Sequence, residues 1–279
     1  MSVDRSQHLM LSRRRLLRMG GLSALAGAAW LCWPLALSAE EAWRRLDVVR
    51  DLVGDRRPLT NGIMLDLPEV SEDAGSVPLT VRVDSPMTDD DHVRRLWIFA
   101  EGNPNPEVAV FSLSPLAGLA EVSTRVRLNE TQSVIAVAES IRGDIRLATR
   151  HVRVTESGCF MRNPHAVGAR MGQARVAVPR SFAAGKPGEV RTLITHPMET
   201  GLREDDDGNI IPRHIVTDFR AELEGEMVLE SSLHTGISAN PYFRFFVRPA
   251  ADGELVFAWV DDTGERAEER ARVVLEEAP

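Results

Sequence analysis

Lysine is nearly missing from this 279-residue chain: Lys186 stands alone among 33 basic residues. That is a compositional bias and points to no function. Cysteine is almost as scarce, with only Cys32 and Cys159. There is no Cys-x-x-Cys-His for haem attachment, no Gly-x-Ser-x-Gly, no Walker loop and no dinucleotide fingerprint. Those absences remove the common nucleophile elbow, phosphate cradle and cofactor cradle, so no cofactor and no autonomous enzyme are expected. An excess of positive charge is missing too. Residues 1–39 hold five arginines and one aspartate, net +4, so a chain of total charge −8 leaves −12 for the remainder. Such an acidic body argues against nucleic acid and anionic membrane surfaces as partners, and would steer it towards basic protein surfaces.

What is present begins with an address. Ser12-Arg13-Arg14-Arg15-Leu16-Leu17-Arg18 carries a twin-arginine export pattern, and an uncharged, small-residue stretch follows from Met19 to Ala39. Small residues around Ala36-Leu37-Ser38 suit cleavage. The expectation is a Tat-type signal peptide over 1–39, a periplasmic mature protein, and no membrane attachment after cleavage. Removing the signal leaves Cys159 as the single thiol. It cannot form a disulfide within its own chain, and without a resolving cysteine a thiol redox role is disfavoured.

The mature chain opens with helical spacing of Trp43, Leu46, Val49 and Val53, ended by Gly54 and Pro58. Then it reads as strand. Leu79 to Asp84, Val122 to Leu128 and Ile145 to Val154 alternate with period two, separated by turn chemistry such as Gly102-Asn103-Pro104-Asn105-Pro106 and Arg142-Gly143-Asp144. Gly158, Pro164, Gly168 and Gly172 punctuate a stretch with little periodic content. Beyond it come further runs, among them Glu189 to Thr195, His214 to Leu223, Tyr242 to Arg248 and Glu254 to Val260. The pattern predicts an all-β chain of two antiparallel sandwich domains in tandem with a short N-terminal helix. The boundaries are 40–158 for the first domain, 159–173 for a linker carrying Cys159, and 174–279 for the second.

Cys159 follows Ser157-Gly158 at the end of a strand-like run, His151 to Thr155. A carrier or nucleophile thiol must be accessible and ionised. Arg162 and His165 would lower its pKa, and Glu156 would oppose them. Arg162 or Arg170 would also hold an anionic adduct by charge-assisted hydrogen bonds. The plainer alternative is an inert, buried thiol. His196-Pro197-Met198-Glu199 invites a metal reading, yet no second histidine sits at ligand spacing, so no metal is expected and the run reads as a turn or interface edge. Asp205-Asp206-Asp207-Gly208-Asn209 suggests a calcium loop, but Arg203 and His214 occupy positions where an EF-hand needs acids. A solvated hairpin fits better.

Several runs together resemble a known family. Ile63 to Pro68, Val77 to Val81, Glu101 to Pro106, Val108 to Phe111 and Val152 to Thr155 with Gly158-Cys159 resemble SoxY. Thr192 to Arg203, Ile237 to Tyr242 and Phe257 to Gly264 resemble SoxZ. SoxY and SoxZ are the two subunits of the periplasmic sulfur-compound carrier of the Sox system. The resemblance implies two immunoglobulin-like sandwiches fused in one chain and a covalent attachment point for sulfur intermediates at Cys159. It implies no catalysis by the chain itself, and partners that are Sox-type haem, hydrolase and dehydrogenase proteins acting in thiosulfate oxidation. Fused chains of this kind also resemble a group associated with periplasmic quinoprotein (PQQ) dehydrogenases. That offers an alternative role as an accessory binding module for such a dehydrogenase or its cytochrome. SoxY ends in Gly-Gly-Cys-Gly-Gly, whereas here Ser157-Gly158-Cys159-Phe160-Met161 continues into the second half. From Thr155 to Cys159 the chain can span at most ~13–14 Å, so the thiol is expected on a loop rather than a free tail.

Overall fold

The computed structural model describes residues 42–155 and 171–276. The expected signal segment 1–39 lies outside the described residues. So do Gly158, Cys159, Arg162, His165 and Arg170. Among the described residues no helix is long and apolar enough to cross a membrane.

After a 3-10 turn, Ala42–Arg45, comes α1 (Asp47–Val53). The strands of the first half are β1 (Ile63–Asp66), β2 (Val70–Ser71), β3 (Val77–Val83), β4 (Val93–Ala100), β5 (Glu107–Leu113), β6 (Ala120–Val126), β7 (Gln132–Ser140) and β8 (Ile145–Val154). Those of the second half are β9 (Ala174–Ala177), β10 (Gly188–Ile194), β11 (Val216–Leu223), β12 (Glu226–Leu233), β13 (Tyr242–Val247), β14 (Gly253–Asp261) and β15 (Arg266–Val273). The chain is all-β, and its pairings are antiparallel except for the short β2–β8 contact.

Both halves contribute to both layers. One sheet has the order β1-β3-β6-β13-β10-β9, the other β15-β14-β11-β12-β5-β4-β7-β8-β2. The halves meet where β5 pairs with β12, from Leu113 opposite Leu229 to Ala109 opposite Leu233, and where Ser123 of β6 faces Arg244 of β13. Inward residues of both halves form one contiguous apolar core. At its centre Phe111 meets Phe243 edge-on at 5.8 Å, and Phe219 lies 5.0 Å from Phe243 and 5.1 Å from Trp259. Aromatic contacts of this kind add to what burial alone supplies.

Strand alternation explains the layers. In β3, Val77, Leu79, Val81 and Val83 are buried while Pro78 and Arg82 face out. β7 is buried along its whole length because both its faces are covered. Val134, Ala136 and Ala138 face the main core, whereas Ile135 and Val137 join Trp97, Phe99, Ile145 and Leu147 under Val49 and Val53 of α1. The helix predicted from Trp43 to Val53 is broken at Leu46, whose backbone is extended (φ −93°, ψ 114°). The break lets Trp43 and Leu46 both pack against the sheet rather than follow one helical stripe. β5 alternates from Ala109 to Leu113, and a bulge against β4 at Val108 sets two buried residues side by side. β15, at an open edge, reads Arg-Ala-Glu-Glu-Arg-Ala-Arg, and charges of this kind discourage further strand pairing.

Candidate functional site at the junction of the two halves

The chain leaves the described structure at Thr155 and returns at Met171, and both points are tied to one seam. On the outgoing side, the Thr155 N–H donates to the Ser71 carbonyl (3.1 Å), and the Val154 N–H donates to Thr131 Oγ1 (3.0 Å). Thr131 belongs to a turn organised by buried amides. Asn103 Oδ1 accepts from the Asn129 N–H (2.9 Å) and from Gln132 Nε2 (3.0 Å), while Asn103 Nδ2 donates to the Arg127 carbonyl (2.9 Å). Gln132 Oε1 accepts the Gly102 N–H (2.8 Å). A Cβ at Gly102 would stand 2.8 Å from Oε1 of the exposed Glu130, which would have to swing aside.

Arg127 then crosses between the halves. It is 8% exposed, and its Nη1 and Nη2 donate to the carbonyls of Met198 (2.5 Å) and Pro197 (3.3 Å). Those carbonyls belong to a tight turn in which Met198 has φ +50°. The turn is held in place by Asn240, whose Oδ1 accepts the His196 N–H (3.1 Å) and whose N–H donates to the His196 carbonyl (2.9 Å). On the returning side, Gly172 N–H donates to the Thr195 carbonyl (2.8 Å), and Met171 N–H to Glu265 Oε2 (3.3 Å).

Beneath the returning strand sits the most polar buried cluster of the second half. One ligand-type atom from each of His196, His214 and Asp261 falls within 4.8 Å of the others. His214 Nε2 donates to Asp261 Oδ2 at 2.9 Å, and His196 Nε2 is 3.7 Å from the same oxygen. Asp261 Oδ1 accepts from the Thr263 N–H (2.9 Å), Thr263 Oγ1 (2.7 Å) and the Glu265 N–H (2.9 Å). Burial works to raise the pKa of Asp261, but the bonds from Thr263, His214 and Glu265 outweigh it and bring it to about 2. Burial, helped by His214 and opposed by Asp261, pulls His196 down to about 4. At neutral pH the cluster is therefore a carboxylate beside an uncharged His196.

The sequence spacing concealed His214, which the fold brings to a ring-centroid distance of 4.5 Å from His196. The roles of the ring nitrogens decide what the pair can do. His196 Nδ1 accepts the Met198 N–H (3.1 Å), so the proton of the neutral ring sits on Nε2. A histidine that ligates through Nε2 donates from its other nitrogen, and here that nitrogen faces a donor. His214 holds the Asp261–Glu265 turn through Asp261 and the Met198 turn through its backbone bonds to Glu199, while the Nε2–H of His196 is buried 3.7 Å from Asp261 with no hydrogen-bond partner among the described residues. Arg127, His214 and Asp261 are the residues sequence reasoning passed over. Asp261 was visible only as part of the quoted Phe257 to Gly264 run. Glu199, part of the suspected metal run, instead holds Arg203 (Nε–Oε2 3.1 Å).

Fold and seam together define an all-β protein of two sandwich halves joined through shared sheets. Residues 49–159 match the family model described as Sulfur oxidation protein SoxY, and residues 175–272 match that described as Sulphur oxidation protein SoxZ. The chain belongs to the SoxY and SoxZ families at once and is a fused SoxYZ protein. Among solved structures, the sulfur carrier protein SoxY from Chlorobium limicola f thiosulfatophilum is 29% identical. That match covers 39% of this chain and 94% of that one, with a TM-score of 0.33. A superoxide reductase (neelaredoxin) from Ignicoccus hospitalis is 19% identical over 34% of this chain and 81% of its own, with a TM-score of 0.31. No curated protein sequence matches the chain.

Proposed function

We propose that this chain is a non-catalytic carrier of sulfur oxidation that holds sulfur intermediates covalently on Cys159 and presents them to partner enzymes in the periplasm, after Tat export. The observation that carries the reading is where the SoxY match stops: residue 159, the one cysteine beyond the signal segment. The seam supports it, because the chain on either side of the thiol segment is anchored to neighbours of the buried Asn103–Arg127–Met198 network, Val154 to Thr131 and Gly172 to Thr195. Loading joins the thiolate sulfur to the outer sulfur of thiosulfate in a new S–S bond. Two electrons leave in that step, and a haem partner takes them. Gly158, Arg162 and His165 are the supporting residues, Gly158 for backbone freedom, Arg162 for thiolate and adduct charge, and His165 as a hydrogen-bond donor to either.

In cells that depend on this chain for thiosulfate oxidation, C159S is expected to reduce thiosulfate consumption to the level of cells lacking the chain. Consumption at the wild-type rate with C159S would instead favour the accessory module of a quinoprotein dehydrogenase, for which the thiol is dispensable.

A further inference from the structure

The hairpin over 199–214 is rooted in the seam through His214, but its outer part, 202–212, is mostly exposed. Its base is closed by reciprocal bonds between Glu199 and His214 (2.7 and 3.0 Å). Its upper part is closed by Ile211 N–H to the Arg203 carbonyl (2.8 Å) and Asp205 N–H to the Asn209 carbonyl (2.8 Å). Asp205 Oδ1 also accepts from the Asp207 and Asn209 N–H groups (3.0 and 2.8 Å), so the tip is pre-ordered.

Two properties of this ribbon suit it to a partner. Ile210 is 69% exposed, the highest value among the large apolar residues described, and Leu202 is 41% exposed. The Glu204–Ile210 pairing and strand alternation put Leu202, Ile210 and Pro212 on the same face. Single exposed apolar residues are ordinary, but here three line one face of a stiff, solvated ribbon. The second property is charge. Glu204, Asp205, Asp206 and Asp207 are exposed at the tip with no ion pair among the described residues. Both arginines of the hairpin turn back to its base, Arg203 to Glu199 and Arg213 to Asp262 (3.0 Å).

We infer that this hairpin is the docking element for the enzyme that acts on the thiol, and that the enzyme offers it an apolar patch rimmed by arginine or lysine. Charge complementarity selects that occupant: four uncompensated carboxylates beside an apolar strip match a basic rim around an apolar centre. Position selects it as well. The base of the hairpin rests on the His196–His214–Asp261 cluster, and the neighbouring Thr195 and Glu265 hold Met171 and Gly172, where the thiol segment rejoins the fold. The hairpin therefore rises from the same region of the fold at which the chain re-enters it after the thiol segment. The contact is small, which suits a carrier that must release each partner, and electrostatic steering compensates in on-rate. The identity of the partner rests on the carrier reading; the docking surface does not.

The test is a photo-crosslinker, p-benzoylphenylalanine, placed at Ile210 of the full chain in its native cells, with Val48 on α1 as the control position. Adducts are expected at position 210 and not at 48, with a captured protein whose identified surface is basic. They are expected equally in a Cys159→Ser background. Combining Glu204→Gln, Asp206→Asn and Asp207→Asn is expected to lower adduct yield at least fivefold, as is 0.5 M NaCl with the purified pair. No adduct at 210, or one indifferent to both the triple substitution and salt, overturns the inference. Wild-type chain that forms the acid-dependent adduct yet never carries sulfur on Cys159 counts against the carrier reading alone.

Discussion

Arg127→Met lowers the melting temperature by about 6–12 °C and loosens both halves in one transition. The methionine keeps the apolar stem of the arginine but removes the donors to the Met198 and Pro197 carbonyls. Hydrogen bonds involving a charged group contribute about 1.5–3 kcal/mol each, so two of them amount to about 3 kcal/mol or more. For a unit of this size 1 kcal/mol shifts the midpoint by about 2–4 °C. The loss is shared because, apart from the smaller cluster under α1, the halves have one core in common: Phe111 of the first packs on Phe243 of the second, and β5 is hydrogen-bonded to β12. Arg127→Lys, which restores the charge and one donor, is expected to recover about half the difference. Hydrogen exchange provides the check. Amides of β7 and β14 should gain exchange rate together in Arg127→Met, and acceleration confined to one half would contradict the shared core.

Acid should destabilise the chain well above the carboxylate range. His196 is fully buried and titrates at about 4 in the folded chain, against 6.5 for a free histidine. Between those values the unfolded chain binds the proton and the folded chain does not, so stability rises with pH there. The contribution is complete above pH 6.5 and is lost as pH falls towards 4. A difference of about 2.5 pKa units corresponds to roughly 3 kcal/mol. The carboxylates act lower down. Asp261, at about 2, withdraws its contribution only below its unfolded value of 3.8. Glu139, buried but held low by Arg94 and Arg56, does so only below 4.5. Urea midpoints measured from pH 7.5 to 4.5 should therefore fall steeply for the wild type. His196→Asn keeps an acceptor near the Met198 N–H and should flatten that slope over this range. An equally steep slope in the variant would remove His196 as the cause.

Strand content was legible because period-two alternation survives wherever one face of a strand is buried and the other is not. β3 and β8 show it. β7 does not, being covered on both sides, and in β5 the bulge at Val108 interrupts it. The break at Leu46 was hidden because the spacing of Trp43, Leu46, Val49 and Val53 is the same whether the segment is one helix or a turn followed by a helix. The seam was legible only as separate runs. Glu101 to Pro106, Thr192 to Arg203, Ile237 to Tyr242 and Phe257 to Gly264 each carried a resemblance, and the structure shows why they belong together. Asn103, His196 to Met198, Asn240 and Asp261 meet in one hydrogen-bonded region. No spacing rule relates Arg127 to Met198, 71 residues away, or His196 to His214, because sheet pairing rather than local geometry brings them into contact. The attachment role proposed for Cys159 rests on the family resemblance and on the lack of any other thiol after residue 39.

The most direct measurement is the intact mass of the protein taken from its native cells, before and after a reductant, with C159S alongside. The account predicts a reductant-labile increment of sulfur or sulfonate mass on the wild-type chain, mapped to the Cys159 peptide and absent from C159S. A bare thiol on Cys159 in cells supplied with thiosulfate would contradict it.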